Sequence, residues 1–160
     1  MIREDAREII DKWALQPHPE GGWYRRIIES ERRVETPTGL RPAVTSIYYL
    51  LQSGDVSRPH RVLNDEIWHF LAGDDLLLAV THSGYNRFDQ VRLGASREAA
   101  ARSLLVPAGE WQAARPLGRF AFLACTVAPG FDFDDFELAE QGTLADLLDQ
   151  YPDFAAYTQT

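Results

Sequence analysis

The sequence predicts an all-β fold, a sandwich or barrel of antiparallel strands with one short helix at each end. From residue 45 onward, short runs rich in β-branched and aromatic residues follow one another, separated by turn residues at fairly even spacing. Helical patterns do not alternate with these runs, which disfavours a parallel sheet built from β-α-β units. Helical periodicity is confined to the two ends of the chain.

The first predicted element is a helix over residues 3–15. Ile9, Ile10 and Trp13 recur at spacings of three and four on an otherwise charged segment, which is the pattern of a helix with one apolar face. Pro17 follows closely and ends the helical pattern.

The strands come next. A run beginning at Trp23, WYRRIIES, follows the pair Gly21–Gly22, and loop residues are expected from there through Pro42. TSIYYLL, from Thr45, reads as a strand that ends before Gly54. The later strand candidates, in chain order, are HRVL, EIWHFL, DLLLAVT, FDQVRLG, ARSLLVP, EWQAARP and RFAFLACTVA.

The tail returns to a helix. Thr143 is the expected N-cap, Leu144, Leu147 and Leu148 form the apolar stripe, and Pro152 closes the element. Neither an internal repeat nor a long linker divides the chain, so residues 1–160 are predicted to form a single domain.

Composition limits the classes of partner. A formal net charge of -8 argues against nucleic-acid binding, which needs clustered Lys and Arg. The single cysteine, Cys125, excludes an intrachain disulfide and fits a reducing compartment. The sequence shows no signal-peptide pattern and its apolar runs are too short to span a bilayer, so a cytoplasmic protein without membrane partners is expected.

The stretch GDVSRPHRVLNDEIWHFLAG carries the most specific motif. Gly54, His60, Glu66 and Gly73 have the spacing of the first motif of the cupin superfamily, G-x5-H-x-H-x3-E-x6-G, which the stretch resembles. Val62 stands where the second histidine of the family would be. Residues two apart on a strand share a face, so position 62 would point the same way as His60.

A second stretch resembles the second cupin motif, G-x5-P-x-G-x2-H-x3-N, in part. Pro107 and Gly109 match, but Gln112 stands at the histidine position, Ala101 at the leading glycine and Pro116 at the asparagine. Two of the four metal ligands that the family would supply are therefore replaced.

Further blocks along the chain resemble the cupin-5 branch, a family of unknown function. These blocks are HPEGGWYRR, SIYYLL, DEIWHFLAGD, VPAGEWQAA and APGFDFDDFELA. The resemblance implies a single cupin jelly-roll barrel with a pocket inside it, usually in a homodimer. It implies no settled activity.

The residues at the four metal-ligand positions of the motifs determine whether a metal can bind. His60 and Glu66 could supply two ligands and Gln112 a weak third through its carbonyl oxygen, but Val62 supplies none. No metal cofactor is therefore expected, although a divalent transition metal on His60, Glu66 and Gln112 is an alternative.

The same residues suit acid–base chemistry on a small organic ligand. His60 and Glu66 are the expected pair. Sugar epimerases of the cupin superfamily are metal-free and use a histidine base with a tyrosine acid, which makes Tyr48 the candidate acid. Ser46 shares the face of Tyr48 and is a ligand-binding candidate, whereas Tyr49 lies on the opposite face. Packing roles for both tyrosines are the alternative.

Other residues are expected to bind the ligand or to support the pocket. Trp68 and Phe70 alternate with Glu66 and should face inward, either as pocket walls or as core. The turn at Glu20 lies near the pocket or the dimer interface by the resemblance, and Gln112 is a further ligand-binding candidate.

Three features have plainer interpretations. Cys125 is expected to be a core residue and Arg26 a surface residue. The acidic run over residues 132–137 is read as a solvated edge whose phenylalanines pack inward.

Three functions follow from these residues. The preferred one is a metal-independent isomerase or epimerase that uses His60 and Glu66 on a small polar organic molecule. A non-catalytic small-molecule binding protein is the second, and a metal-dependent cupin oxygenase or isomerase with a degenerate ligand set is the third.

Overall fold

Two antiparallel sheets of six and five strands face each other, and a separate two-stranded hairpin lies beside them in the computed structural model, which describes residues 5–158. The helices are α1 (Ala6–Trp13) and α2 (Gln141–Gln150). The strands are β1 (Gln16–Pro17), β2 (Trp23–Glu29), β3 (Arg33–Thr36), β4 (Gly39–Pro42), β5 (Thr45–Gln52), β6 (Ser57–Val62), β7 (Asp65–Gly73), β8 (Leu76–His82), β9 (Arg87–Leu93), β10 (Ser103–Val106), β11 (Trp111–Pro116), β12 (Phe120–Ala128) and β13 (Phe136–Leu138).

The sheet order is that of a jelly roll. The larger sheet runs β1-β2-β5-β12-β7-β10 and the smaller one β13-β6-β11-β8-β9, so strands close in sequence alternate between the sheets. The main core fills the space between the sheets and includes Tyr49, Trp68, Leu78 and Leu123, each at most 2% exposed. The prediction of an all-β jelly-roll barrel with short terminal helices is confirmed.

Helix α1 covers the outer face of the larger sheet. Asp5 caps it through a capping box with Glu8, which satisfies free N–H groups of the first turn. Ile9 is fully buried against Leu50 and Phe122. The predicted helix over residues 3–15 is present, with residues 3–4 outside the described residues.

The structure corrects two predictions of local structure. The expected loop before Pro42 contains the hairpin β3–β4, in which Val34 pairs with Arg41. Thr143 is not the N-cap of α2: Glu140 occupies that position, and Thr143 lies inside the first turn. The helix starts early because β13 ends at Leu138 and buried Ala139 donates its backbone N–H to Pro59 O at 2.9 Å.

The end of the chain packs on the smaller sheet. Helix α2 ends at Gln150, two residues before Pro152, and a 3₁₀ turn over Pro152–Tyr157 follows. Leu147, Phe154 and Tyr157 are buried together against β8 and β11. None of the helices in the described part of the chain has the length and apolar character needed to cross a membrane.

Candidate functional site

A cavity of about 410 Å³ opens between the two sheets, within the range of small-molecule sites. Side chains alternate between the two faces of each strand, and those on the inner faces line the cavity. Thr45, Ile47 and Tyr49 project inward from β5, and His60 and Val62 from β6. Glu66 enters from β7, and Glu20 from the turn that precedes β2. Besides Tyr49, the wall contains the aromatic residues Tyr24, Phe131, Phe133 and Phe136.

His60 and Glu20 form a buried pair on this wall. His60 Nδ1 lies 2.7 Å from the carbonyl oxygen of Arg58, which can only accept, so Nδ1 carries a proton. His60 Nε2 lies 3.1 Å from Glu20 Oε2. This contact is an ion pair when the ring also carries a proton on Nε2. The side chains are only 2% and 7% exposed.

The turn around Glu20 is fixed by several hydrogen bonds. The Ser57 hydroxyl donates to Glu20 Oε1 at 2.8 Å, and the Tyr49 hydroxyl donates to the carbonyl oxygen of Gly21 at 2.7 Å. Burial acts to raise the pKa of Glu20, but His60, His18 and the hydroxyl donors outweigh it and hold the pKa below its ordinary value. Glu20 is therefore the anionic member of the pair.

Glu66 has a different environment. The Gln112 amide Nε2 donates to Glu66 Oε2 at 2.6 Å, and Gln112 Oε1 accepts from Trp68 Nε1 at 2.7 Å. Because an indole N–H can only donate, Trp68 fixes which end of the Gln112 amide faces Glu66. Burial raises the pKa of Glu66 to about 7, against the opposing effects of His60 and the Gln112 hydrogen bond. Glu66 can therefore gain or lose a proton near neutral pH.

His18 is a second histidine on the wall. Its Nδ1 accepts the backbone N–H of Glu20 at 3.1 Å. Nδ1 is thus unprotonated, and the neutral ring carries its proton on Nε2. Burial lowers the pKa of His18, and the Glu20 carboxylate only partly offsets that effect. At neutral pH His18 can donate a hydrogen bond from Nε2 without carrying a charge.

The donors do not fit a cupin metal centre. Val62 is 3% exposed, lines the cavity and offers no donor atom. The carbonyl oxygen of Gln112, the expected weak third ligand, accepts from Trp68, and its amide nitrogen faces Glu66. Within residues 5–158, no group of three or more His, Cys, Asp or Glu side chains is arranged to hold a metal ion.

The predicted pairing of His60 with Glu66 needs correction. Both side chains line the cavity, but His60 forms its ion pair with Glu20, and Glu66 hydrogen-bonds to Gln112. Glu20 therefore has the place at His60 that was expected for Glu66. Sequence reasoning predicts Glu20 as a ligand-binding residue, not as the partner of His60.

The predicted facing of β5 is wrong. Tyr48 packs outside the barrel against Trp13 and Phe122, with ring centroids 5.0 and 5.1 Å away. The Ser46 hydroxyl bonds Thr126 and the carbonyl oxygen of Cys125 on β12. Tyr49 faces the cavity instead.

Three other predicted site residues lie behind the residues that line the cavity. Trp68 and Phe70 do face inward, but their side chains fill the core and do not line the cavity. Gln112 is 1% exposed and acts through Glu66. Direct contact with a ligand is therefore not expected of these residues.

The segment after β12 contributes more than a solvated edge. Phe131, Phe133 and Phe136 line the cavity. Arg26, on β2, also lines it. Asp135, in the acidic run, is 2% exposed and bonds Arg41 at 2.8 Å, so this acidic residue is not solvated. Cys125 is buried, as expected, and lines the cavity.

His18 and the aromatic wall were missed by sequence reasoning. The block HPEGG contains His18, and a signal was available there: it stands two residues before Glu20, close enough for its ring to accept the backbone N–H of that residue.

Comparisons with known proteins agree with this architecture. The family model described as cupin superfamily (DUF985) matches residues 7–139. A hypothetical protein from Leishmania major is 29% identical with a TM-score of 0.87, over 98% of this chain and 100% of that one. A protein from Shewanella oneidensis is 34% identical with a TM-score of 0.83, over 98% of both chains.

More distant structures share the fold alone. A cupin 2 conserved barrel domain protein from Rhodopseudomonas palustris is 16% identical with a TM-score of 0.56, over 91% of this chain and 86% of that one. Among curated proteins, none matches the sequence.

Proposed function

This chain belongs to the cupin superfamily (DUF985), and we propose that its barrel cavity binds a small organic carbonyl compound and moves a proton on it without a metal. The observation that supports this most is the presence of two buried acid–base groups with opposite tuning in one cavity. Glu66 has a pKa of about 7, whereas the pKa of Glu20, whose carboxylate lies 3.1 Å from His60 Nε2, is held below its ordinary value. Catalytic acids and bases are commonly tuned apart in this way.

The proposed reaction is a tautomerisation. Glu66 as carboxylate takes a proton from the carbon next to the carbonyl group, and the C–H electron pair becomes the C=C bond of an enol. The carbonyl oxygen takes a proton from Nε2 of the His60 imidazolium, which leaves a neutral imidazole beside the Glu20 carboxylate and no charge on the ligand. Return of the protons in reverse order restores a carbonyl compound, isomerised or isotopically exchanged.

A second candidate is a binding protein without chemistry. The pair His60–Glu20 also hydrogen-bonds to Arg58 and Ser57, and such a self-satisfied arrangement can simply stabilise a pocket. A ligand that is bound and released unchanged would favour this candidate.

The homodimer and the cytoplasmic location stay predictions. They follow from the resemblance and from the sequence composition. Sedimentation of the purified protein tests the first.

The first experiment is proton exchange in D₂O. Small ketones are incubated with the protein, and loss of the α-proton signal is followed by ¹H NMR. We expect the wild-type protein to exchange at least one ketone, and Glu66→Gln to slow that exchange about 100-fold or more, the usual effect of losing a general base. His60→Gln should slow it similarly.

A matched control tests whether the cavity is responsible. His69 bonds Ser103 on the outside of the barrel, so His69→Gln removes an imidazole without touching the wall. Its exchange rate should equal that of the wild type. If no ketone exchanges, or if Glu66→Gln exchanges as fast as the wild type, the proposed function is wrong.

A further inference from the structure

We propose that the ligand of this cavity is an uncharged molecule with an aromatic ring and one polar group, such as an arylalkyl ketone, rather than a carbohydrate. This inference concerns the same cavity as the proposed function and rests on it to that extent. It adds the chemical class of the ligand. Three independent features support it: the ring wall, the engaged polar groups and the charges of the wall.

The ring wall is contiguous. Phe131 and Phe133 meet edge to face with centroids 5.0 Å apart, and Phe136 lies 5.9 Å from Phe133. Such edge-to-face arrangements are favourable, and they leave ring faces and edges for another aromatic ring. The side chain of Phe133 is 49% exposed although it lines the cavity. A ring bound in the cavity would cover this apolar surface.

His18 continues the wall toward the acid–base groups. Its ring lies edge-on to Tyr24 at 4.5 Å and within 6.4 Å of Phe133. His18 also contacts the backbone of Glu20, so the ring wall and the acid–base pair adjoin. A ligand whose ring lies on the phenylalanines can thus place one polar group near His60 and Glu66.

Several polar groups of the wall are already engaged. The Tyr49 hydroxyl donates to Gly21, both oxygens of Glu20 have partners, and Glu66 Oε2 accepts from Gln112. A sugar would bring several hydroxyl groups and would need a partner for each of them inside the cavity. Each buried hydroxyl without a partner costs about 1–3 kcal/mol, so a ring with one polar group places the smaller demand on this wall.

The wall has no excess of positive charge. Glu20 faces His60, and Arg26 and Asp132 both line the cavity. The Arg26 guanidinium donates to the carbonyl oxygen of Phe131 at 3.1 Å and lies 3.7 Å from Glu29. Glu66 adds a third carboxyl group, so the charges of the wall disfavour an anionic ligand.

Binding of phenylacetone and fructose tests the inference. Backbone amide shifts of the ¹⁵N-labelled protein are followed as each ketone is added. We expect phenylacetone to bind, fructose to bind at least tenfold more weakly, and Phe133→Ala to weaken phenylacetone binding about fivefold, the loss of one aromatic contact.

Leu105→Ala is the matched control. Leu105 is 48% exposed on β10, nearly the same as Phe133, but does not line the cavity. It should leave the phenylacetone affinity unchanged. Tighter binding of fructose, no binding of phenylacetone, or an affinity unaffected by Phe133→Ala overturns the inference.

The proposed proton transfer and the proposed ligand class are contradicted by different results. Phenylacetone that binds through Phe133 but exchanges no α-proton supports the ligand class and contradicts the proton transfer. Fructose that binds and exchanges in a Glu66-dependent manner overturns the ligand class and supports the proton transfer.

Discussion

At the residue scale, the two ring nitrogens of His60 face two different oxygen acceptors. Nδ1 donates to the carbonyl oxygen of Arg58, and Nε2 lies 3.1 Å from the Glu20 carboxylate. The imidazole and the carboxylate therefore lie together at the wall of a cavity large enough for a ligand.

The adjacent tyrosines Tyr48 and Tyr49 should respond differently to the same change. Tyr49→Phe removes the donor to Gly21 and leaves that carbonyl oxygen unpaired, so we expect a loss of about 1–2 kcal/mol in the free energy of unfolding. It should also slow ketone exchange, because the turn that holds Glu20 loosens. Urea denaturation and the exchange assay measure the two effects.

Tyr48→Phe is the control for that pair. Tyr48 packs through its ring against Trp13 and Phe122, and the substitution keeps the ring. Stability should change by less than about 0.5 kcal/mol and exchange not at all. Equal effects of the two substitutions would contradict the assigned facing of β5.

There is a physical reason why sequence reasoning assigned Tyr48 and Tyr49 to the wrong faces. Alternation on a strand separates its two faces, but on β5 both faces are covered, one by α1 and one by the opposite sheet. An apolar run buried on both sides does not tell which face is the pocket. His60 and Glu66 were recognised because their motif spacing specifies the inward face. Glu20 reaches His60 from a turn 40 residues away, which local patterns do not register.

At the element scale, the turn before β2 needs glycine. Gly21 has φ +112°, and a Cβ there would overlap the carbonyl oxygen of Val56. Gly21→Ala should therefore cost about 3 kcal/mol from strain and overlap together, and displace Glu20 from His60. Denaturation measures the first effect, and ketone exchange the second.

Gly54 provides the comparison. It also has positive φ, +92°, but an added Cβ would meet nothing within 4 Å. Gly54→Ala should cost only about 1 kcal/mol and leave exchange intact. Similar losses of unfolding free energy for Gly21→Ala and Gly54→Ala would show that the positive φ alone, not the contact with Val56, requires glycine at position 21.

The elements that sequence reasoning missed share a property. Strands β3 and β4 form a small hairpin of largely exposed residues with polar and charged side chains, so apolar alternation does not mark them. The start of α2 was misplaced because the end of β13, not a capping side chain, fixes it. Most strands of the two main sheets were recognised because they bury at least one face, but the short strands β1 and β13 of the same sheets were missed.

At the scale of the whole molecule, Glu66 links stability to pH. Its carboxyl has a pKa of about 7 in the fold against an ordinary 4.5, so the folded state favours the protonated form. The stabilising contribution is complete below pH 4.5 and is lost as the pH rises to 7. The loss amounts to about 3 kcal/mol for a shift of this size.

Glu66→Gln removes this titration and keeps a side chain that can accept from Gln112. The difference in unfolding free energy between variant and wild type should therefore shift in favour of the variant from pH 4.5 to 7, then stay constant. Denaturation in urea at several pH values measures it. A difference that is independent of pH would mean that Glu66 titrates normally.

The chain of Trp68, Gln112 and Glu66 also constrains how this protein can evolve. Gln112 accepts at one end and donates at the other, so replacing it alone would strand an indole N–H and a carboxylate in the interior. A replacement at position 112 therefore has to keep both an acceptor for Trp68 and a donor for Glu66. Substitutions at positions 66, 68 and 112 are thus expected to be non-additive, so the effect of each depends on the residues at the other two.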